Sequence, residues 1–226
     1  MEERLQEYTD RIAAEEKFNV FFELLTEYNK RYNLTAITGR SEVYVKHFLD
    51  SAAGEFLFPE NARVLEVGSG AGFPSLVLKI LRPDLRFTLL ESVGKKCEFL
   101  RVACDKLSLA DVEIVCARAE DEAKTARREN YDAVCARAVA RMNSLCEYCI
   151  PFVKKGGSFI AYKGGDEGEI EESKRAISLL GGKIEKIYRY ELPENVGKRT
   201  LVLVRKEAHT PSKYPRGNGK ERKSPL

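Results

Sequence analysis

From Pro59 onward the chain alternates short apolar runs with helix-length segments, and this alternation constrains the fold more than any other feature. The runs are "RVLEV" (63–67), "RFTLLE" (86–91), "VEIVC" (112–116), "YDAVCA" (131–136) and "SFIAYK" (158–163). Strands that run parallel need a crossover of a dozen residues or more, and such crossovers are usually helices packed on both faces of the sheet. The pattern therefore predicts an α/β fold with a mostly parallel sheet. Two further runs, "KIEKIYRYEL" (183–192) and "RTLVLVRKE" (199–207), are joined only by a short loop carrying Pro193, Asn195 and Gly197. Strands joined without a helix predict an antiparallel hairpin at one edge of the sheet.

Before Pro59 the periodicity is helical. Phe18, Phe21, Phe22, Leu25, Tyr28 and Tyr32 recur at three- and four-residue steps, the spacing of an amphipathic helix. A second helix is expected from an N-cap at Ser41, with Val45, Phe48, Leu49, Ala52 and Phe56 on one face. Residues 1–60 thus read as a helical extension, 61–206 as the α/β domain and 207–226 as a tail. In that tail Lys213, Arg216, Lys220, Arg222 and Lys223 stand against Glu207 and Glu221, five minus two, which equals the whole chain's net charge of +3. A basic tail suits a polyanion such as nucleic acid, and a frayed solvated terminus is the plainer alternative. The charged start "MEERLQEYTDR" has no signal-peptide apolar region, and no window approaches the ~18 apolar residues of a membrane span. Together with six cysteines, these features lead to the expectation of a cytoplasmic protein with reduced thiols.

The first strand runs directly into "VLEVGSGAGFPS" (64–75), with glycines at 68, 70 and 72. So many missing side chains imply a close approach of something to the backbone. A dinucleotide fingerprint would need glycine at position 73, which is Phe, and no Gly-Lys-Ser/Thr follows to make a phosphate-binding loop. The arrangement Glu66-x-Gly68-x-Gly70-x-Gly72 resembles instead the first motif of class I S-adenosylmethionine-dependent methyltransferases. Glu66 at the strand end would supply a counter-charge to the cationic methionyl part. Glu91, nineteen residues beyond Gly72 at the end of the second strand, is placed to accept ribose hydroxyls. Ala119 and Glu120, after the third strand, are placed to bracket an adenine, though Glu120 equally suits the first turn of a helix.

Five ordered segments carry a closer resemblance: "YNLTAIT" (32–38), "HFLDS" (47–51), "GSGAGFP" (68–74), "ARAVA" (136–140) and "TPSKYPR" (210–216). On these the chain resembles the glucose-inhibited division protein B family, guanine-N7 methyltransferases of bacterial small-subunit ribosomal RNA. The resemblance implies a Rossmann-like class I fold and S-adenosylmethionine as cofactor. It also implies one guanine of the decoding region as target, with small-subunit ribosomal RNA or the small subunit as partner. Carried over by position, it implies cofactor contacts at Gly68, Phe73, Ala119, Glu120 and Arg137. Glu66 stands where the family more often has Asp, and Ser75 where Gly is common. Lys220 and Glu221 replace tail residues that usually include a proline, which leaves the tail's path open.

Guanine N7 offers a lone pair and carries no proton, so the reaction needs alignment rather than a general base. A polarised pocket would help the cationic product form. An Arg fork on guanine O6 and N7 would block the reacting atom, so the base is expected to be held by its Watson–Crick edge or by stacking. Phe73 is a candidate for such stacking, with plain packing as the alternative. Arg137 follows a strand at the carboxyl edge, where ligands bind in open parallel sheets. His47, Asp50 and Ser51 fall at i, i+3 and i+4 on the second helix, and read either as an active-site wall or as a cluster tying that helix to the sheet. With Arg137, His47 and Asp50 form the catalytic candidates. Cys146 and Cys149 lack the partners a zinc site needs and read as small buried residues; no metal is expected. Lys163 and Arg199 join Lys213, Arg216, Lys220, Arg222 and Lys223 as RNA-binding candidates. The expected working form is a monomer with no membrane attachment. Two alternatives stay open: a small-molecule methyltransferase, and an RNA-binding or assembly protein that keeps the fold without turnover.

Overall fold

The computed structural model describes residues 1–165 and 167–226. Helices α1 (Glu2–Ala14), α2 (Lys17–Tyr32), α3 (Arg40–Val43) and α4 (Asp50–Ala52) form the N-terminal block, with a π-helical stretch, Tyr44–Leu49, joining the last two. The α/β unit follows as β1 (Arg63–Val67), α5 (Ser75–Leu81), β2 (Arg86–Glu91), α6 (Gly94–Lys106), β3 (Val112–Cys116), α7 (Ala119–Glu122), β4 (Tyr131–Arg137) and α8 (Met142–Cys149). It continues through β5 (Val153–Gly164), α9 (Glu167–Leu179), β6 (Gly182–Leu192) and β7 (Gly197–Lys206), and α10 (Lys220–Lys223) lies in the tail.

The seven strands are ordered β3-β2-β1-β4-β5-β7-β6. The pairs among β1 to β5 are parallel, whereas β7 is antiparallel to both β5 and β6. The sheet is thus mixed and mostly parallel, with the expected hairpin at one edge. Alternation along each strand sorts side chains between two cores. Val64, Phe87, Leu89, Ala133 and Cys135 point to the side covered by α2, α5 and α6. Leu65, Leu90, Val134 and Ala136 point to the side covered by α8 and α9. Glu66 and Arg137 share the parity of the first set, so both project toward the N-terminal block.

One helix of that block is not singled out in the sequence, and the second expected helix is corrected. The segment before Lys17 forms α1, which buries Leu5, Tyr8 and Ile12 although its mean composition is strongly polar. The second helix begins at Arg40 from an extended Gly39, not from a cap at Ser41, and the Ser41 hydroxyl donates instead to Glu194 at 3.0 Å. Phe56 falls outside that helix, in a 3-10 turn (Glu55–Leu57), where its ring meets Tyr188 and the Arg4 guanidinium.

Candidate active site

The loop after β1 turns on backbone conformations that only glycine adopts easily. Gly68, Gly70 and Gly72 have φ of +72°, +56° and +86°. A Cβ on Gly68 would come within 2.7 Å of Val139 Cγ2, and one on Gly72 within 2.4 Å of Leu76 Cδ1. Two of the three glycines are therefore required by the protein's own packing. Gly70 alone faces open space, with nothing nearer than the Gly68 carbonyl oxygen at 3.9 Å. The Glu91 carboxylate fastens this loop to β2: Oε2 accepts from Gly70 N–H and Oε1 from Val93 N–H, both at 2.9 Å.

A cavity of about 580 Å³ opens at the carboxyl ends of β1, β2 and β3, lined by Gly68, Leu90, Ser92, the 117–121 segment, Val139 and Tyr148. The tail supplies its remaining wall, Asn218, Gly219 and Arg222. Of the residues named for the cofactor, Gly68, Ala119 and Glu120 line this cavity. Glu120 also sits in the first turn of α7. Gly70, Gly72 and Glu91 do not line it; Glu91 acts on the loop through its bonds to Gly70 and Val93. Glu66 is fully buried at the end of β1, and neither carboxylate oxygen has a hydrogen-bond partner among the described residues. Burial pushes its carboxyl up to about 8, with nearby Ser75 and Arg137 pulling the other way. A buried acid without donors is costly, and the residues present fit a ligand that brings a positive charge and N–H donors to this strand end.

Beside Glu66 stands a second group of polar residues. Arg137, at the end of β4, donates from Nη1 to Asp50 Oδ2 and to the Lys46 carbonyl, both at 3.0 Å. Its Nη2 donates to His47 Nδ1 at 2.9 Å. Since a guanidinium only donates, Nδ1 accepts, and Nε2–H donates to Thr35 Oγ1 at 2.9 Å. Burial, with Arg137 adding to it, lowers the His47 imidazolium to about 3, so the ring is neutral near pH 7. Asp50 Oδ1 accepts from the Tyr190 hydroxyl at 2.9 Å, and Arg199 Nε lies 3.6 Å from it. His47, Asp50 and Arg137 are thus brought together, with Arg137 as the hub. Ser51 turns away, donating to the His47 carbonyl at 2.6 Å.

Phe73 is buried, with its ring 4.4 Å from the His47 ring and nearly parallel, 5.2 Å from Phe21, and under the Arg137 guanidinium. Both faces are occupied, so its role is packing, and the stacking reading is set aside. Tyr190 belongs to the network but carries no sequence signal beyond an alternating strand, whereas Thr35 lies in the segment "YNLTAIT" that carries the family resemblance without being singled out as a site residue. Cys146 and Cys149 are fully buried in α8, and no metal-ligating cluster exists among the described residues.

The basic candidates divide sharply. Lys163 Nζ donates to Glu169 at 2.8 Å and to the Ala140 carbonyl at 3.0 Å. Arg216 makes a two-pronged pair with the fully buried Glu147, Nε to Oε1 at 2.9 Å and Nη2 to Oε2 at 2.7 Å. Arg222 donates to the Val139 carbonyl at 3.2 Å. Lys213, Lys220 and Lys223 are exposed. The tail is therefore docked rather than frayed, with Tyr214 and Glu221 buried beneath it. Among the described residues no helix is long and apolar enough to cross a membrane.

This topology, with the glycine turn at the end of β1 and a cavity at the carboxyl edge, defines a class I methyltransferase fold. Solved structures agree on the fold. The crystal structure of M. jannaschii TYW2 in complex with AdoMet is 17% identical, with a TM-score of 0.56 over 69% of this chain and 72% of that one. A predicted O-methyltransferase from Agrobacterium tumefaciens is 17% identical, with a TM-score of 0.57 over 71% of this chain and 82% of that one. Closer in sequence is the ribosomal RNA small subunit methyltransferase G of Staphylococcus aureus (strain Newman), 44% identical over 99% of this chain and 96% of that protein. A family model described as "GidB: rRNA small subunit methyltransferase G" matches residues 14–197. The chain belongs to the GidB family of rRNA small subunit methyltransferases.

Proposed function

We propose that this protein transfers a methyl group from S-adenosylmethionine to N7 of one guanine in small-subunit ribosomal RNA. The observation that carries the N7 assignment is the state of His47. Its Nδ1 lone pair is taken by the Arg137 guanidinium and its Nε2–H is given to Thr35, so neither ring nitrogen is free to act as a base. Exocyclic amines and hydroxyls must lose a proton when methylated, whereas guanine N7 has none to lose. When bound, the cofactor supplies a methyl group activated by a sulfonium.

The chain's own residues then have defined tasks. Ala119 and Glu120 line the adenine side of the cavity and Ser92 the ribose side, while Glu66, fully buried at the end of β1, offers a counter-charge to the methionyl end from beneath the surface. The glycine turn sets their spacing, and Glu91 holds that turn to β2. Arg137, fixed by Asp50, His47 and the Lys46 carbonyl, holds the rim of the guanine site in one geometry, where alignment supplies most of the rate. The exposed Lys213, Lys220 and Lys223 face the RNA backbone and confer salt-sensitive binding.

The test is transfer of labelled methyl from S-adenosylmethionine into small ribosomal subunits lacking guanine N7 methylation, with large subunits and free RNA alongside. One labelled guanine, mapped to N7 in small-subunit RNA, is the expected result. Label on another atom or on a small molecule, or none at all, would overturn the reading.

A further inference from the structure

The tail crosses the protein on a series of fixed points. Glu129 accepts from Thr210 N–H at 2.7 Å, and Arg128 donates to the carbonyls of Thr210 and Tyr214, both at 2.8 Å. Buried Lys206 reaches Thr210 Oγ1 at 2.6 Å and Glu129 at 3.1 Å. Arg216 then closes onto Glu147 in the body of α8, with its backbone N–H adding a third bond at 2.8 Å. A buried carboxylate paired in this two-pronged way fixes position and direction together.

Immediately after this latch the chain reads Gly217-Asn218-Gly219, and all three residues are left-handed, with φ of +76°, +57° and +71°. Gly and Asn are the residues that tolerate this conformation best. The turn brings Asn218 and Gly219 to the cavity wall and starts α10, from which Arg222 reaches the same cavity and the Val139 carbonyl beside Gly68. Glu221 is fully buried under the turn, one oxygen accepting from Gly217 N–H and the other, Oε2, without a partner among the described residues.

We propose that the 216–222 turn is a working wall of the cofactor cavity, held shut by the Arg216–Glu147 latch, and that it governs affinity for the adenosine part of S-adenosylmethionine. This rests on the methyltransferase reading above. The inner face of the tail closes on cofactor, while its exposed lysines point outward. A basic arm binding only RNA would need neither a buried Glu147 nor three consecutive left-handed residues aimed at the cavity.

The probe is S-adenosylhomocysteine, titrated calorimetrically into the full-length protein and into Gly219→Val and Arg222→Ala. Valine at a left-handed position distorts the turn without entering the core, and Arg222 is exposed, so both variants retain the fold; melting without ligand verifies this. The expected result is a Kd raised about tenfold or more in both, with RNA affinity changed less than about twofold. Backbone amides of 216–222 are also expected to exchange more slowly once the ligand is added to the wild-type protein. Unchanged ligand affinity with weakened RNA binding would overturn the proposal and return the tail to an RNA arm. Failure of the wild-type protein itself to bind the ligand would instead sink the methyltransferase reading.

Discussion

Arg137 and Asp50, 87 positions apart in sequence, meet Nη1 to Oδ2 at 3.0 Å, with both side chains largely buried. Asp50 also accepts from Tyr190 of β6, so one carboxylate joins the N-terminal block, the end of β4 and the edge hairpin. Removing one partner of a buried pair leaves the other uncompensated, at a cost of about 3–5 kcal/mol. Arg137→Ala is expected to cut methyl transfer at least a hundredfold and to lower the melting temperature. Arg137→Lys keeps the charge but loses the fork that reaches both Asp50 and His47, so it should recover much of the melting temperature and little of the rate. Equal recovery of both would make Arg137 a purely structural residue.

Glu66 yields a pH signature. Its folded carboxyl sits near 8, above the ordinary 4.5. Between these values the folded protein binds the extra proton, so stability falls as pH rises from about 4.5 to 8 and levels off above that. Glu66→Gln removes this penalty and is expected to melt higher than wild type at pH 8, with the gap shrinking toward pH 5. A cationic ligand favours the ionised acid, so wild-type affinity for S-adenosylmethionine should rise with pH toward 8. The Gln variant should bind weakly with a flat profile. Parallel pH profiles for the two proteins would remove Glu66 from the site.

Much of this architecture is written locally, and what is not written locally was missed. The boundaries of β1, β2 and β3 coincide with "RVLEV", "RFTLLE" and "VEIVC", because each apolar run is a strand bounded by loop residues. The glycine turn was equally legible, yet its cause was only half so: Val139 and Leu76, remote or downstream, forbid a Cβ at Gly68 and Gly72. Leu5, Tyr8 and Ile12 do fall on one face of α1, but the segment as a whole is strongly polar, and the acid that receives the Tyr8 hydroxyl, Glu55, lies 47 positions away. The tail misled by composition. Arg216 and Lys220 count alike in a charge sum, but one is paired with the buried Glu147 and the other faces water.

His47 gives the opposite pH dependence. Its folded value near 3 lies below the ordinary 6.5, so the unfolded chain binds the extra proton between them. Stability is therefore lost as pH falls from about 6.5 toward 3. His47→Gln keeps polar atoms near Arg137 and Thr35 while removing the titration. Denaturant unfolding from pH 7 to pH 4.5 should show a shallower loss in this variant than in wild type. Identical slopes would mean that the imidazole already charges in the folded state.

All of helix α1 but its last residue, Ala14, lies outside the 14–197 stretch that the family model matches, yet it closes one end of the N-terminal block. Tyr8, 2% exposed, donates its hydroxyl to Glu55 Oε2 at 2.8 Å, and Arg11 reaches Glu55 Oε1 at 3.3 Å. Tyr8→Phe strips a donor from a buried acid without opening a cavity, at a cost of about 1–3 kcal/mol. For a domain of this size that lowers the melting temperature by roughly 2–4 °C per kcal/mol. Glu55→Gln should cost a similar amount, and the Tyr8→Phe/Glu55→Gln pair clearly less than the sum of the two, because the same hydrogen bond is lost in each. Methyl transfer at a temperature where all variants stay folded should change less than twofold, since Tyr8 and Glu55 touch neither Arg137 nor the cavity. Additive losses would show that α1 is held by its apolar face alone. A large fall in rate would connect α1 to the site by a route other than the Arg137 network.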